Sequence, residues 1–255
     1  MNVSVPHAIS VWRRNAAIYR RTWMWNILPN FFEPVFYLLS IGIGVGAYIT
    51  QMGGTSYMEF LAPGLVCVAA MNGASFEVTY NVFVRLEYQK AYDAILTTPV
   101  EPDDVLAGEV LWAVTRACIY GGCFFIVIAA VGLAPLPSAL LVLPVIPLAG
   151  LLFAAIGIVF SLRISNIDLF SFYFTLFLTP LFLFSDVFFP LQDRLSEGWL
   201  WVAEILPLLH PVRLARAAFQ GEASLILLWD LAYLLGVSLL LLAWARRGVR
   251  QRLTN

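Results

Sequence analysis

The chain has 255 residues, of which 61% are hydrophobic and 12% are charged, with a formal net charge of −1. A soluble globular domain is about half apolar and about a quarter charged, so the composition excludes an ordinary soluble domain. The sequence has no basic patch, so we predict no nucleic-acid partner. Lipid permits only helices or closed barrels, and the alternating polarity of a barrel is absent. We therefore predict an all-α membrane protein.

Six stretches are apolar and long enough to cross a bilayer, which takes about 20 residues. The predicted spans are residues 27–49, 61–84, 105–133, 139–162, 167–189 and 225–245. Eleven of the fifteen Lys and Arg residues fall in the N-terminal arm, after the second stretch, between the fourth and fifth, and in the C-terminal tail. Because these cations mark the cytoplasmic side, both termini are predicted to be cytoplasmic.

The arm before the first span, residues 8–25, is predicted to form an amphipathic helix. Apolar side chains recur from Ile9 to Trp23 at three- and four-residue steps, with arginines beside them. Such a helix lies among lipid headgroups with its rings pointing inward; the alternative is that it packs on the protein. The residues expected at the membrane interface are Trp12, Arg13, Arg14, Tyr19, Arg20, Arg21 and Trp23.

Charged side chains are concentrated between the second and third spans, in RLEYQKAYDAILTTPVEPDD, residues 85–104. Its first part has helical periodicity, and Thr98 before Pro99 discourages helix beyond that point. A helix of about three turns is marginal in water by itself. Its apolar side must therefore dock on neighbouring helices, while its outer side could be offered to a soluble partner.

Charges inside predicted spans are costly and need a reason. The three candidates are Glu33, Glu77 and Arg116. Arg116 could reach either carboxylate, so the favoured interpretation is a structural ion pair that holds the first three spans together. The alternative is a polar gate or a contact with a substrate headgroup.

Residues 190–224 are predicted to form an outer re-entrant loop whose short helices dip into the outer membrane interface. His210 is the one candidate base in this loop. It has no Ser or Cys partner in a recognisable arrangement, so it is interpreted as a polar loop residue.

Four stretches together resemble the type-2 ABC exporter permeases. LEYQKAYDAILTTPVEPDDVLAGEVLW resembles the region between spans two and three of that family, with its acidic helix, its "-TPV-P-" break and a Gly that starts the next span. FFEPVFYLLSIGIGVG resembles the first span, and RISNIDLFSFYFTLFLTPLFLFSDVFFPLQ and LPLLHPVRLARA resemble the fifth span and outer loop. The likeness covers most of the chain and is nearest to the NodJ-like branch, the permeases of nodulation-factor export, and to related drug-resistance permeases.

The resemblance implies one transmembrane permease domain, residues 1–255, in the bacterial cytoplasmic membrane. It implies a coupling helix at residues 86–98 that sits in a groove of a separate ABC ATPase. The coupling residues would be Leu86, Glu87, Tyr88, Lys90, Ala91, Tyr92, Asp93, Ile95, Leu96 and Thr98. Two ATPase copies, carrying ATP and Mg²⁺, and a second copy of the permease are implied as partners.

The chain itself has no G-x-x-x-x-G-K-[ST] phosphate loop. We therefore expect neither an ATPase site nor a cofactor or metal in this chain. Any ATP-driven work would have to come from another polypeptide.

The resemblance also implies export of an amphipathic substrate, a lipid-linked saccharide, lipid or drug-like molecule, along a path at the permease dimer interface. The fifth span carries aromatic rings that can stack on sugars or contact acyl chains. The residues predicted to line the path are Phe170, Tyr173, Phe174, Phe177, Phe184 and Phe188. The alternative is that these rings face lipid or neighbouring helices.

Two other functions are alternatives to transport by an ABC permease. An intramembrane enzyme needs a nucleophile with a base, paired carboxylates or metal ligands, and His7 and His210 are too far apart to suggest one. A secondary transporter or channel often shows internal repeats, which the two halves of this chain lack. Stimulation of a partner's ATP hydrolysis would separate an ABC permease from a carrier or channel.

Overall fold

A computed structural model of the protein describes residues 3–46, 48, 49, 51, 52, 54–193 and 196–254. These residues form helices joined by short loops and one small hairpin, so the all-α class is confirmed. Residue 47 of the predicted first span, and residues 194 and 195 of the predicted outer loop, lie outside the described residues.

The first half of the chain begins with two helices, α1 (Val5–Arg21) and α2 (Trp23–Gly44). A hairpin of β1 (Gln51–Met52) and β2 (Thr55–Ser56) follows, and then α3 (Tyr57–Tyr88). Ser56 and Glu59 form a reciprocal capping box that satisfies the first backbone N–H groups of α3.

The second half begins with a short helix at the end of the bundle that is predicted to be cytoplasmic, called here the inner end, with the outer end opposite it. Two long spans follow this helix. These are α4 (Ala91–Leu96), α5 (Pro102–Ala130) and α6 (Ser138–Ser161). The remaining helices are α7 (Ile167–Phe184), α8 (Glu197–Ala203), α9 (Leu209–Gln220) and α10 (Ile226–Thr254).

Within the described residues, five helices are long and apolar enough to cross a membrane: α3, α5, α6, α7 and α10. The six-span prediction additionally needs α2, which has 22 residues. Ser4 and Arg252 lie at the same end of the bundle. Ser4 binds Asp104 and Arg252 binds Glu87, and residues 87–104 form the short segment that contains α4 and joins α3 to α5. An odd number of crossings, such as five, would put Ser4 and Arg252 on opposite sides of the membrane. Their position at one end therefore favours α2 as a sixth span, and the count of six stays a prediction.

The predicted continuous helix over residues 86–98 is wrong. Residues 86–88 belong to α3, which continues through π-helical turns at Glu77–Asn81 and Val84–Tyr88. The chain then turns at Lys90, whose φ of 49° lies in the left-handed region, before α4 begins. Likewise, the predicted helix 8–25 is two helices, because Thr22 leaves the helical backbone conformation at φ −120° and ψ 18°.

α3 is the central helix of the bundle and packs against α5 and α6. α1 lies across the inner half of α5, with Ala8 and Val11 buried in the contact. The two helices meet at Gly108 of α5. A β-carbon there would lie 2.6 Å from Val11 Cβ and 2.7 Å from the carbonyl oxygen of Ala8. The absence of a side chain at residue 108 therefore sets the distance between α1 and α5.

Gly108→Ala is expected to push α1 away from α5 and to lower the thermal unfolding midpoint of the purified protein, because overpacking costs about 1–3 kcal/mol. Gly122→Ala is the matched control on the same helix, since its β-carbon meets nothing within 4 Å. The control should unfold at the same temperature or higher, as Ala favours helix over Gly by about 1 kcal/mol. Equal midpoints for the two variants would contradict the close approach at Gly108.

Candidate functional site

Three buried carboxylates lie in the first two turns of α5, at the inner end of the bundle. They belong to Asp103, Asp104 and Glu109 and are called here the α5 carboxylates. Asp104 accepts a hydrogen bond from the backbone N–H of Ser4 at 2.7 Å and contacts His7 Nδ1 at 3.2 Å, which fixes the start of α1. A buried charge must be paired to be tolerated, so each of the α5 carboxylates fixes a neighbouring element.

Asp103 fixes the inner end of α10. Its carboxylate accepts a hydrogen bond from Arg246 Nε at 2.6 Å and two from Arg250, at 2.8 and 2.7 Å. Such charge-assisted and bidentate bonds are roughly twice as strong as neutral ones. The C-terminal arginines, predicted only as markers of the cytoplasmic side, therefore pair within the bundle.

Glu109 joins α5 to α3 through Arg85. Arg85 Nη2 donates to Glu77 Oε1 at 2.6 Å and to Glu109 Oε2 at 2.8 Å, and all three side chains are buried. Glu77 and Arg85 are both on α3, two turns apart, while Glu109 reaches them from α5. One guanidinium thus bridges two carboxylates on different helices.

Glu109 also binds α1 and α4. Tyr92 of α4 donates its hydroxyl to Glu109 Oε1 at 2.9 Å, and Asn15 of α1 donates its amide to Glu109 Oε2 at 3.0 Å. Burial raises the pKa of Tyr92 well above its ordinary value, and the neighbouring charge of Glu109 adds to the shift. Tyr92 therefore stays neutral and remains a hydrogen-bond donor.

Of the predicted intramembrane pair, the structure supports Glu77 with Arg116. Arg116 Nε lies 3.6 Å from Glu77 Oε2, and Asn81 donates to the same oxygen at 2.8 Å. The extension of this pair to Glu33 is wrong, because no ion pair of the described residues includes Glu33. The two carboxylates of Glu77 and Glu109 balance the two guanidiniums of Arg85 and Arg116, so these four buried side chains together carry no net charge. A net charge would be costly in a low-dielectric interior.

Sequence reasoning missed Arg85 and Glu109 as members of this group. Arg85 was assigned to the cytoplasmic loop, and Glu109 was not singled out within its span. Two spacings in the sequence could have revealed this group. Glu77 and Arg85 are eight residues apart, and Glu109 and Arg116 are seven residues apart. Both spacings place charges about two turns apart on one helix. The prediction failed because α3 was expected to end before Arg85.

The predicted coupling residues divide between a buried and an exposed side. Tyr92 is buried, and half-buried positions surround it: Leu86, Glu87, Ala91, Ile95 and Leu96. The exposed side consists of Tyr88, Lys90, Asp93 and Thr98. The side chain of Tyr88 is 66% exposed, so this side presents an aromatic ring to the solvent beside charged residues.

Glu87 lies between these sides and pairs within the chain. Arg252 Nη2 donates to Glu87 Oε1 at 2.7 Å, and the same guanidinium donates to the carbonyl oxygens of Ser161 and Ile164 at 3.0 and 2.9 Å. The end of α3 is thereby tied to the inner ends of α6 and α10. Glu87 thus has a structural role besides the coupling role predicted for it.

The predicted interface helix packs on protein along part of its aromatic stripe. Trp12 Nε1 donates to Thr115 Oγ1 of α5 at 2.9 Å, and Arg116 lies over the ring of Tyr19 at 4.6 Å. The prediction that these two rings face lipid is therefore wrong, because Gly108 brings the stripe against α5. Arg14 is half-buried beside Asn15. The exposed members are Arg13, Arg20, Arg21 and Trp23, and their contact with lipid stays a prediction.

Two of the six residues predicted to line the path are buried inside the chain. Phe170 is 0% exposed and Tyr173 is 2% exposed. The Tyr173 hydroxyl lies 3.3 Å from Ser75 Oγ, and both rings pack against Phe160. A π-helical turn at Tyr173–Leu178 changes the helical register. The stripe is therefore split: Phe174, Phe177 and Phe188 are half-buried, and Phe184 is exposed.

Comparison with known proteins assigns a family to this bundle. The model of the family described as ABC-2 type transporter matches residues 7–219, which include α1 except for its first two residues, and the segment containing α4. The chain belongs to the ABC-2 type transporter family. It is a multi-pass membrane protein and the membrane subunit of an ABC transporter, typical of the bacterial inner membrane.

Curated relatives place this permease in the NodJ-like branch, as its motifs predicted. It is 38% identical over 214 residues to nodulation protein J of Rhizobium leguminosarum bv. trifolii, covering 84% of the chain and 81% of that protein. It is 36% identical over 210 residues to nodulation protein J of Sinorhizobium fredii, covering 82% and 80%. It is also 26% identical over 251 residues to the inner membrane transport permease YadH of Escherichia coli K12, covering 94% and 96%.

The outer end of the permease contains a second buried ionic cluster, around His210. The interpretation of His210 as an unpartnered loop residue is wrong: it is 0% exposed, and its Nδ1 and Nε2 lie 2.7 Å from Asp230 Oδ1 and 3.0 Å from the carbonyl oxygen of Glu204. Arg213 donates to both Glu204 and Asp230, and its hydrogen bonds hold the pKa of Glu204 below its ordinary value. The cluster ties α9 to the outer end of α10.

Glu204, His210 and Asp230 lie close enough together to be considered as metal ligands. The guanidinium of Arg213 already donates to both carboxylates and supplies the positive charge that a cation would bring. The cluster is therefore explained as a structural ion network.

Arg85→Met should sharply lower the yield and the thermal midpoint of the permease. The variant leaves Glu77 and Glu109 without their shared cation, and breaking a buried pair costs about 3–5 kcal/mol. Lys90→Met is the control, since Lys90 Nζ lies 3.7 Å from Glu87 at an exposed position and such pairs contribute at most about 1 kcal/mol. Adding Glu109→Gln to Arg85→Met should recover part of the loss; a variant as stable as Lys90→Met would refute the bridging role.

Proposed function

We propose that this permease exports an amphipathic substrate, using the motion of an ABC ATPase that docks on its inner segment, residues 86–98. The observation that carries the proposal is the hydrogen bond from Tyr92 to the buried Glu109. It connects the short helix α4 to Glu109 of α5, a carboxylate that also binds α1 and α3. A displacement of α4 would therefore be transmitted to those three helices.

The two sides of the segment suit this role. On its buried side, Tyr92 binds Glu109 and Glu87 binds Arg252. Its exposed side presents an aromatic ring and charges of both signs, at Tyr88, Lys90 and Asp93. Aromatic side chains are enriched where proteins bind each other. Rigid rotation of packed helices between discrete states is a common form of such switching.

The proposed assembly has two permease copies and two ATPase copies, with ATP and Mg²⁺ bound to the ATPases. The substrate path would lie between the permease copies, next to α2, α3 and α7. Phe174, Phe177, Phe184 and Phe188 remain candidates for lining it, since they are half-buried or exposed in the single chain. The NodJ-like resemblance favours a lipid-linked saccharide among the amphipathic substrates.

Asp93→Lys should reduce co-purification of the proposed ABC ATPase by more than about tenfold, because it reverses the charge at this point of the docking surface, where a cation of the ATPase that meets Asp93 would then face a like charge at a cost of several kcal/mol. Glu197→Lys is the matched control, an exposed acid on α8 near the opposite end of the bundle. Both variants should fold normally. Equal loss of ATPase in both variants, or in neither, would contradict docking at this segment.

Tyr92→Phe should leave ATPase binding intact while lowering the stimulation of ATP hydrolysis by the permease. The substitution removes only the hydroxyl that binds Glu109, at a cost of about 1–3 kcal/mol for the unpaired acceptor. Tyr80→Phe is the control, a half-buried ring whose hydroxyl makes no hydrogen bond within the described residues.

Transport by the reconstituted permease without any ATPase would instead support a secondary transporter or channel.

A further inference from the structure

A groove of about 520 Å³ lies between the inner ends of α6 and α10. Side chains of both helices line it, and several of them are exposed, so the groove opens at the surface of the chain. Three of the described lining residues are arginines, and none of them is acidic. The polar lining residues are Arg163, Arg247, Gln251 and Arg252, and the apolar ones include Leu162 and Trp244.

The groove lies at the depth where the hydrocarbon core of a bilayer meets the head groups. Trp244 is eighteen residues from the outer start of α10 at Ile226, which corresponds to roughly 27 Å of helix at 1.5 Å per residue. A hydrocarbon core about 30 Å thick therefore ends near Trp244. Arg247 lies about one turn farther in, and Arg163 lies two residues after the end of α6 at Ser161. Tryptophan is enriched at this boundary, and arginine is enriched on its cytoplasmic side.

The groove carries more positive than negative charge. Of the arginines that line it, Arg252 is compensated, since its Nη2 donates to Glu87 Oε1 at 2.7 Å. Arg163 and Arg247 are both exposed, and neither forms an ion pair with a carboxylate of the described residues. The last two residues of the sequence are Thr and Asn, so they add no acidic side chain to this end of α10. Two positive charges at the mouth of the groove therefore indicate an anionic ligand.

Arg163 is held in place across the groove while most of its donors remain available. Its guanidinium carbon lies 4.0 Å from the centroid of the Trp244 ring, so the two side chains join α6 to α10. Its Nη1 donates to the carbonyl oxygen of Val159 at 3.1 Å. An arginine has five N–H groups in a fixed fork, and such a fork binds phosphate through parallel hydrogen bonds. The anionic group that fits Arg163 is therefore a phosphate.

The apolar side of the groove favours a lipid over a soluble phosphate. Leu240, one turn outward from Trp244 on α10, is 68% exposed, and Leu162 lines the groove from α6. A phosphate at the arginines would place its acyl chains beside these side chains. Basic pockets between spans on the cytoplasmic side bind acidic lipid head groups. A second copy of the chain is disfavoured, because a twofold contact of this face with itself would bring its arginines together.

We propose that this groove binds one anionic phospholipid of the cytoplasmic leaflet. Arg163 and Arg247 bind its phosphate, and the Trp244 ring lies at the boundary between its head group and its acyl chains. The lipid would hold the inner ends of α6 and α10 together, next to the contact of Arg252 with the end of α3. Lipid binding at this groove does not depend on the proposed transport function.

Native mass spectrometry of the full chain in a neutral detergent measures this binding. Dioleoylphosphatidylglycerol should add one tightly bound molecule. Dioleoylphosphatidylcholine has the same chains and phosphate but carries a cation that would face the arginines, so it should bind at least about tenfold more weakly. Soluble glycerophosphoglycerol, the head group alone, should not displace the lipid. Equal binding of the two lipids would overturn the proposal, and so would displacement by the head group, which would indicate a site for soluble phosphates.

Variants separate the groove from general attraction to basic surface. The double variant Arg163→Gln, Arg247→Gln should lower the affinity for phosphatidylglycerol by about tenfold or more, which corresponds to about 1.4 kcal/mol. The double variant Arg13→Gln, Arg20→Gln is the matched control, since it removes two exposed arginines of α1 and leaves the groove intact. The control should keep the affinity within about twofold. All four side chains are exposed, so both variants should fold normally, and equal losses in the two would overturn the proposal.

Photolabelling locates the bound lipid. Phosphatidylglycerol with a diazirine next to its phosphate, in nanodiscs made otherwise of phosphatidylcholine, should label peptides of α6 and α10 that contain Arg163 and Trp244. Labelling mainly on α1, or labelling that persists in the groove variant, would overturn the proposal. The groove variant is also assayed for co-purification of the proposed ABC ATPase. Loss of the ATPase with unchanged lipid binding would show that an acidic protein surface fills the groove instead.

Discussion

The structure depends on the need to pair three carboxylates that are buried at the inner end of α5. Asp103, Asp104 and Glu109 cannot stay charged in a low-dielectric environment without donors. Their donors come from different elements: α10 for Asp103, the start of α1 for Asp104, and α1, α3 and α4 for Glu109. The arrangement of the inner ends of these helices is therefore determined by which donors reach which carboxylate.

Buried ion pairs of this kind add little net stability compared with well-packed apolar residues, because desolvation offsets most of their attraction. Their effect is on specificity, since a helix that shifts by one turn leaves a charge unpaired. Arg85 shows this most clearly, as it must meet Glu77 and Glu109 together. The bundle thus has few alternative inner arrangements, which is the property required of an element that moves between discrete states.

α10 carries ionic contacts at both of its ends. Asp230 near its outer end binds Arg213 and His210, while Arg246 and Arg252 near its inner end bind Asp103 and Glu87. Helix α9 and the inner segment are therefore attached to the same long helix.

The sequence by itself determined the class of protein, the family and the location of five long spans to within several residues at each end. These depend on composition, on runs of apolar residues and on local motifs such as TTPVEP, none of which requires knowledge of contacts. Hydropathy also identified Glu77 and Arg116 as a pair inside the membrane. The exposed and buried sides of residues 86–98 followed in part from their periodicity.

Only the tertiary structure decided which charges meet and which rings are buried. Arg85 became a core residue because α3 continues past the predicted end, through π-helical turns that hydropathy does not register. A π-helical turn at Tyr173–Leu178 likewise separates the buried Phe170 and Tyr173 from the more exposed rings that follow them. Trp12 contacts α5 because Gly108 allows close approach. His210 and Asp230 are twenty residues apart in sequence, and their contact arises only when α9 packs on α10. Pairing of charges is a property of distances between helices, and those distances are set by packing rather than by any local pattern.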